Sequence, residues 1–191
     1  MKLMMLFAGA YVAGSVNFPI LLFKLLKKED PRNGFSKNPG TFNVYRQHGI
    51  FWALVILILD VGRSLGVAYI SSMFLLTAFI PWVGLGLILG NRHPCFHQFR
   101  GGKGVANYLG FSAFIAPPWA LAAILAWLIS YTFFRIAFIG SLTMVLILAA
   151  GTLLACNFNP LAVFGVFCTV AVIFYSHKSN ITEFFQTWKA V

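Results

Sequence analysis

Between two long apolar blocks lies Phe99-Arg100-Gly101-Gly102-Lys103-Gly104, the most polar and glycine-dense run of the chain. Glycine admits backbone turns closed to other residues and lets N–H groups approach a ligand, while Arg100 and Lys103 add fixed charge. That is the chemistry of a phosphate cradle. It is not the nucleotide-binding P-loop, because the G-x-x-x-x-G-K-[ST] spacing is absent and no hydroxyl follows to bind magnesium. A basic turn that only orients the chain in a bilayer is the competing reading. Two further polar clusters stand far away in sequence. One runs from about Lys27 to His48 and holds Gly34, Pro39 and Gly40 among Ser36, Lys37, Asn38, Thr41, Asn43 and Arg46; the other is His177-Lys178-Ser179-Asn180. Such a density of small hydrogen-bonding groups exceeds what a connecting loop needs, a solvated turn being the competing reading for the first cluster.

The elements that position these clusters follow from composition. Apolar residues make up 60% and charged residues 9% of the chain, against roughly half and a quarter in soluble domains. The apolar runs are long and continuous, so the fold expected is an all-α integral membrane protein forming a single polytopic domain over 1–191. Seven transmembrane helices are predicted, at about Met4–Leu26, Ile50–Ser71, Leu75–Gly90, the glycine turn to Ala116, Trp119–Phe134, Ile136–Leu154 and Leu161–Tyr175. Fourteen basic residues oppose four acidic ones. With the N-terminus outside and the C-terminus cytoplasmic, every basic residue except Lys2 and Arg63 falls on the cytoplasmic side. This topology gathers all three polar clusters on one face. It also assigns the net charge of +10 to orientation and anionic headgroups or substrates rather than to nucleic acid.

Details inside the spans carry structural expectations. Asn17 and Pro19 interrupt the first span beside a small-residue stretch, Gly9 to Ser15, and Gly84, Gly86 and Gly90 form a face suited to close helix contact. Asp60 and Arg63, three residues apart, share a helix face and can neutralise each other inside the bundle. The fourth span begins just after the glycines, so its N-terminal N–H groups and positive dipole end point toward whatever the loop binds. Cys95, Cys156 and Cys168 lack metal-ligand spacing and read as packing residues. No metal site or cofactor is expected, since clustered carboxylates are missing. His48 and His97 read as interfacial anchors, and Trp52, Trp82, Trp119 and Trp188 as an aromatic belt.

At this point the residues resemble the bacterial glycerol-3-phosphate acyltransferases that use acyl phosphate as donor, the PlsY family. The first motif is similar to Ser36-Lys37-Asn38-Pro39-Gly40-Thr41-Phe42-Asn43-Val44-Tyr45-Arg46, the second to Pro94 through Phe99-Arg100-Gly101-Gly102-Lys103-Gly104-Val105-Ala106, and the third to His177-Lys178-Ser179-Asn180-Ile181. The resemblance implies transfer of a fatty acyl group from acyl phosphate to the 1-hydroxyl of glycerol 3-phosphate, giving lysophosphatidic acid and phosphate at the cytoplasmic face of the bacterial inner membrane. Carried onto this chain, it makes Ser36, Arg46, Lys103, His177 and Asn180 the catalytic candidates. Asn38, Gly40, Asn43, Arg100, Gly101, Gly102, Gly104, Arg135 and Ser141 become substrate-binding candidates. Lys103, Arg46 and the amides near Gly101 and Gly102 would hold phosphate, His177 would donate to phosphate or act as a base, and Arg135 is either a site residue or a topology signal. Because acyl phosphate is a reactive mixed anhydride, direct attack by the glycerol hydroxyl is the expected mechanism, with a substrate phosphate available to take the proton.

Four positions depart from the family's pattern. Lys37 stands where glycine is usual, Phe42 replaces threonine, Asn91 replaces histidine and Ser176 replaces arginine. The ring of Phe42 is expected either to leave the phosphate pocket open or to fill it. Lys103, Arg46 and Asn180 are expected within about one phosphate diameter of a common centre. The other functions considered are a catalytically altered paralogue with a scaffold or lipid-binding role and a small anion transporter, although no repeat between the halves supports transport.

Overall fold

The computed structural model describes residues 1–189, with side chains through Thr187, so the expectation for the Trp188 ring lies outside the described residues. Every regular element among them is helical. The order is α1 (Lys2–Ser15), α2 (Phe18–Leu25), α3 (Thr41–His48), α4 (Ile50–Phe74), α5 (Ile80–Arg92), α6 (Val105–Ile115), α7 (Pro117–Phe134), α8 (Ala137–Ala155), α9 (Pro160–Ser176) and α10 (Lys178–Lys189), with short 3-10 turns at Pro31–Asn33 and Thr77–Phe79.

Three helices, α4, α7 and α8, are long and apolar enough to cross a bilayer alone. The pairs α1–α2 and α9–α10 qualify only when each is counted as one span, bent by 41° and 52°. The first bend falls at the predicted interruption: Asn17 is extended, and Pro19 sits in the first turn of α2, where a missing N–H is harmless. The third and fourth predicted spans differ more from expectation. Helix α4 runs on to Phe74 and a 3-10 turn follows, leaving α5 with 13 residues and α6 with 11, against about 20 for a straight crossing. Pro117 and Pro118, which fall between the fourth and fifth predicted spans, are the first turn of α7, because proline is favoured at N1.

Short as it is, α5 is the centre of the molecule. Val83, Leu87 and Ile88 are fully buried, and α1, α4, α6 and α9 all pack on it. The small-residue faces act as expected: a Cβ on Gly90 would lie 2.0 Å from the carbonyl oxygen of Tyr11, and one on Gly14 would lie 2.2 Å from that of Leu87. Glycine therefore sets the α1–α5 separation. The outward faces are apolar, with Ile58, Leu121, Phe133 and Phe167 exposed, as lipid contact requires.

Asp60 and Arg63 of α4 turn inward. Arg63 Nη2 lies 2.8 Å from Asp60 Oδ1 with both side chains less than 10% exposed. The same guanidinium also donates to the carbonyls of Ala13 and Val16 and to Asn107 Oδ1 of α6. One buried charge pair thus ties α4 to the C-terminal end of α1 and to α6, and it holds the start of α6 under the glycine loop.

Candidate active site

The glycine loop is pinned to the end of α5. Gly101 N–H donates to the carbonyl of Arg92 at 3.2 Å and Gly102 N–H to that of Asn91 at 2.9 Å. A Cβ on Gly101 would lie 2.0 Å from Asn91 O, so close backbone approach explains the glycine. This corrects the expected phosphate role of these two amides, because both are already used. Gly104, left-handed at φ +85°, opens α6, and the first N–H groups of that 11-residue helix have no partner within the helix. The N–H groups left without a backbone partner therefore lie one step later in the chain than the glycine pattern suggested.

Lys103 emerges between these anchors, and its Nζ donates to Asn180 Oδ1. The loop before α6 and the first turn of α10 are joined by this contact. His177 sits at the α9–α10 bend, 2% exposed, with Nδ1 2.9 Å from the carbonyl of Ile173. A carbonyl only accepts, so Nδ1 carries the hydrogen and Nε2 presents a lone pair. Burial depresses the His177 imidazole to about 4; the Ile173 bond opposes this, and Lys103 and Arg92 push the same way. It is therefore neutral near pH 7. Burial, then the charge of Arg92, lowers the Lys103 ammonium to about 8.

Arg92 was read from sequence only as a topology charge. Its Nε is buried without a hydrogen-bond partner, and its charge acts on both Lys103 and His177. None of the chain's four acidic residues pairs with Arg92 or Lys103 among the described residues, since the carboxylate pairs are Asp30–Arg32 and Asp60–Arg63. The only sequence signal was a second cation two residues before Pro94. Ser176, where the family resemblance expected arginine, is buried and bonds the carbonyl of Val172 at 2.8 Å.

The Ser36–Arg46 segment reaches α7. The Arg46 guanidinium lies 4.8 Å from the centre of the Phe42 ring, which meets Tyr131 edge-on at 5.4 Å and Trp127 at 6.0 Å. Trp127 Nε1 donates to Ser141 Oγ at 3.4 Å, and that hydroxyl donates to the carbonyl of Ala137 at 3.0 Å. The Phe42 ring therefore packs against α7, with Arg46 stacked upon it. Among the described residues no hydrogen bond joins Arg46 to Lys103 or Asn180.

Other candidates shape the loop itself. Asn43 is buried: its amide nitrogen donates to the carbonyls of Pro31 at 2.8 Å and Gly34 at 3.2 Å, and its oxygen accepts from Ser36 N–H at 3.3 Å. Gly40 caps α3 beside the half-buried Asn38, whose amide a Cβ on Gly40 would meet at 2.7 Å. Lys37 is left-handed at φ +52°, a conformation that costs a non-glycine residue roughly 1 kcal/mol. The Arg100 side chain is exposed, while its carbonyl accepts from Arg32 at 3.2 Å. Arg135, exposed and left-handed at φ +56°, ends α7.

A groove of about 480 Å³ runs between α4, α6 and α7, with Leu57, Val61, Leu109, Ala113, Ala120 and Ile124 in its walls. Its lining is almost wholly apolar. A cationic cluster with no carboxylate partner among the described residues can hold an anionic head, and an apolar groove can hold an acyl chain.

Comparison with known proteins adds the following. The family model for glycerol-3-phosphate acyltransferase matches residues 4–187. The chain is 33% identical over 177 residues to the glycerol-3-phosphate acyltransferase of Pseudomonas paraeruginosa (strain DSM 24068 / PA7), covering 92% of each protein. It is 34% identical over 177 residues to that of Azotobacter vinelandii, again covering 92% of each. Its fold is similar to the crystal structure of PlsY (YgiH), an integral membrane glycerol 3-phosphate acyltransferase, in the glycerol 3-phosphate form, with TM-score 0.89 and 29% identity over 98% of this chain and 94% of that one. The lysophosphatidic acid form of PlsY superposes with TM-score 0.87 and 28% identity, covering 98% and 93%.

Proposed function

The chain belongs to the glycerol-3-phosphate acyltransferase family, and from that premise we infer that it moves a fatty acyl group from acyl phosphate to the 1-hydroxyl of glycerol 3-phosphate, forming lysophosphatidic acid for phospholipid synthesis. The observation that carries the site assignment is the contact of Lys103 with Asn180, set beside Arg92 and His177 with no carboxylate among the described residues to neutralise the two cations. Such a cluster is stabilised by a phosphate dianion.

Lys103 and Arg92 hold phosphate, and Arg92 restores the positive charge that the family resemblance places at position 176. Asn180 fixes the Lys103 ammonium, and the N-terminal amides of α6 complete the cradle. Arg46, backed by Phe42, offers a third cation from the α7 side. The Lys37 and Phe42 departures are compatible with this arrangement: Lys37 occupies its turn at small cost, and Phe42 serves as the platform for Arg46.

The glycerol oxygen attacks the acyl carbon, the bond from that carbon to the phosphate oxygen breaks, and inorganic phosphate leaves with the electron pair. Stabilisation of that departing charge by Lys103 and Arg92 lowers the barrier. Neutral His177, with its Nε2 lone pair, accepts a hydrogen bond from the attacking hydroxyl and orients it. A group depressed to about 4 is too weak a base to keep the proton, so the proton passes to a substrate phosphate. The acyl chain runs into the groove between α4, α6 and α7.

The bent helix pairs and the charge asymmetry support a seven-pass topology with the N-terminus outside and the site at the cytoplasmic face of a bacterial inner membrane, α5 and α6 being the two short passes. The test of the donor is turnover by the purified protein supplied in turn with palmitoyl phosphate, palmitoyl coenzyme A and palmitoyl acyl carrier protein. Lysophosphatidic acid from palmitoyl phosphate alone is the expected result. Equal or faster use of a thioester would replace the donor assignment.

A further inference from the structure

Next to the residues that precede the glycine loop lies a second cleft, of about 280 Å³, which shares no lining residue with the candidate active site. Helix α2 contributes Ile20 and Lys24, the following turn contributes Lys28, Asp30 and Arg32, and the loop after α5 contributes His97. Arg32 is neutralised within the cleft: Asp30 receives its Nε and Nη2 at 2.6–3.0 Å. Lys24 and Lys28 have no carboxylate partner among the described residues; Lys28 instead lies 4.9 Å above the Trp52 ring. Burial, followed by the charges of Arg32 and Lys24, holds His97 below its ordinary value. The cleft therefore carries a net positive field of about two charges around a floor that includes Ile20.

The rim is equally telling. Leu25 is 70% exposed and Phe96, which also borders the cleft, is 59% exposed. Apolar side chains flank two unpaired ammoniums where α2 leaves its apolar stretch. That is the pattern of a bilayer surface, where a phosphate sits above acyl chains.

We propose that this cleft is a second anion site, which binds a phosphate group at the membrane surface through Lys24 and Lys28. The ligand class is a phosphate monoester or diester on a lipid. A bound phosphate is also coupled to the catalytic loop, because Arg32 Nη1 donates to the carbonyls of His97 at 3.3 Å and Arg100 at 3.2 Å, three residues before Lys103. The site thus offers a route by which anionic lipid tightens the loop that carries the catalytic lysine.

The probe is dioleoyl phosphatidic acid, titrated into the full-length protein in neutral detergent and read by native mass spectrometry, with dioleoyl phosphatidylcholine as the neutral control. All measurements use the Lys103→Ala, Arg92→Gln background, which removes both cations assigned to phosphate in the candidate active site, and the lysine variants of the cleft are compared within it. One retained phosphatidic acid is expected, weakened about thirtyfold by Lys24→Ala with Lys28→Ala, each lysine contributing its usual near-surface attraction. Both lysines are exposed, so the double variant keeps its fold. Displacement of the lipid by millimolar inorganic phosphate would make soluble phosphate an equal occupant; retention would assign the site to the headgroup. Unchanged affinity in the double variant, or retention no stronger than that of phosphatidylcholine, would overturn the proposal, and neither result depends on whether the protein turns over acyl phosphate.

Discussion

Lys103 and Asn180 are 77 residues apart in sequence, yet the ammonium of one donates to the amide oxygen of the other. This contact sets the bend between α9 and α10 against the loop before α6, so the third polar cluster of the chain completes the second. Asn180→Ala frees the ammonium without removing it. The account predicts a loss of about 10- to 100-fold in kcat/KM, the usual worth of a hydrogen bond to a charged group, measured as lysophosphatidic acid formation. Wild-type kinetics in that variant would show that the contact is incidental.

The charge on Lys103 also sets a pH dependence. In the proposed mechanism the ammonium form binds phosphate, and its pKa is lowered to about 8 by burial and by Arg92. Accordingly kcat/KM for glycerol 3-phosphate falls as pH rises through about 8. Arg92→Gln moves this limb upward while lowering kcat/KM, and Lys103→Arg removes the limb from the accessible range. A limb that stays in place in both variants belongs to another group.

Gly101→Ala tests the backbone packing of the loop. The added Cβ would meet Asn91 O at 2.0 Å and the Pro94 ring at 2.6 Å, whereas one on Gly62 meets nothing within 4 Å. Thermal unfolding in detergent should show a loss of about 1–3 kcal/mol for Gly101→Ala, together with reduced turnover. Gly62→Ala should be close to neutral. Equal behaviour of the two would mean that the loop has room to move.

For the buried pair, Arg63→Met leaves Asp60 without its counter-charge and should destabilise by about 3–5 kcal/mol. Adding Asp60→Asn removes the stranded charge and should recover much of that loss. If the single and double variants unfold together, the remaining partners of Arg63 on α1 and α6 carry the stability instead.

Ala113 faces the apolar groove. Ala113→Phe shortens the space there, so kcat/KM with palmitoyl phosphate should drop about tenfold or more while decanoyl phosphate is spared, each buried methylene being worth about 0.8 kcal/mol. A uniform loss for both donors would place the acyl chain elsewhere.

Much of this arrangement was legible in the sequence because it depends on local chemistry. The i, i+3 spacing of Asp60 and Arg63 foretold their pairing, Asn17 and Pro19 marked the bend between α1 and α2, and glycine spacing marked the tight face of α5. The glycine-rich loop singled out Lys103, which the fold sets against Asn180. What was not legible depends on tertiary partners. Gly101 and Gly102 look like phosphate donors until Arg92 and Asn91 are seen to occupy their amides. Arg92 looks like a topology charge until the fold sets it against Lys103 and His177. The brevity of α5 and α6 was hidden too, since the apolar run ending α4 continues through the turn at Thr77–Phe79 and hydropathy alone draws no boundary there.

The most direct measurement is the release of phosphate and the formation of lysophosphatidic acid by the purified protein given palmitoyl phosphate and glycerol 3-phosphate, with Lys103→Ala alongside. One phosphate released per lysophosphatidic acid formed, with no acylated protein trapped at any serine or cysteine and turnover lost in Lys103→Ala, is the predicted result. A covalent acyl-enzyme, or undiminished turnover without Lys103, would contradict direct transfer at this site.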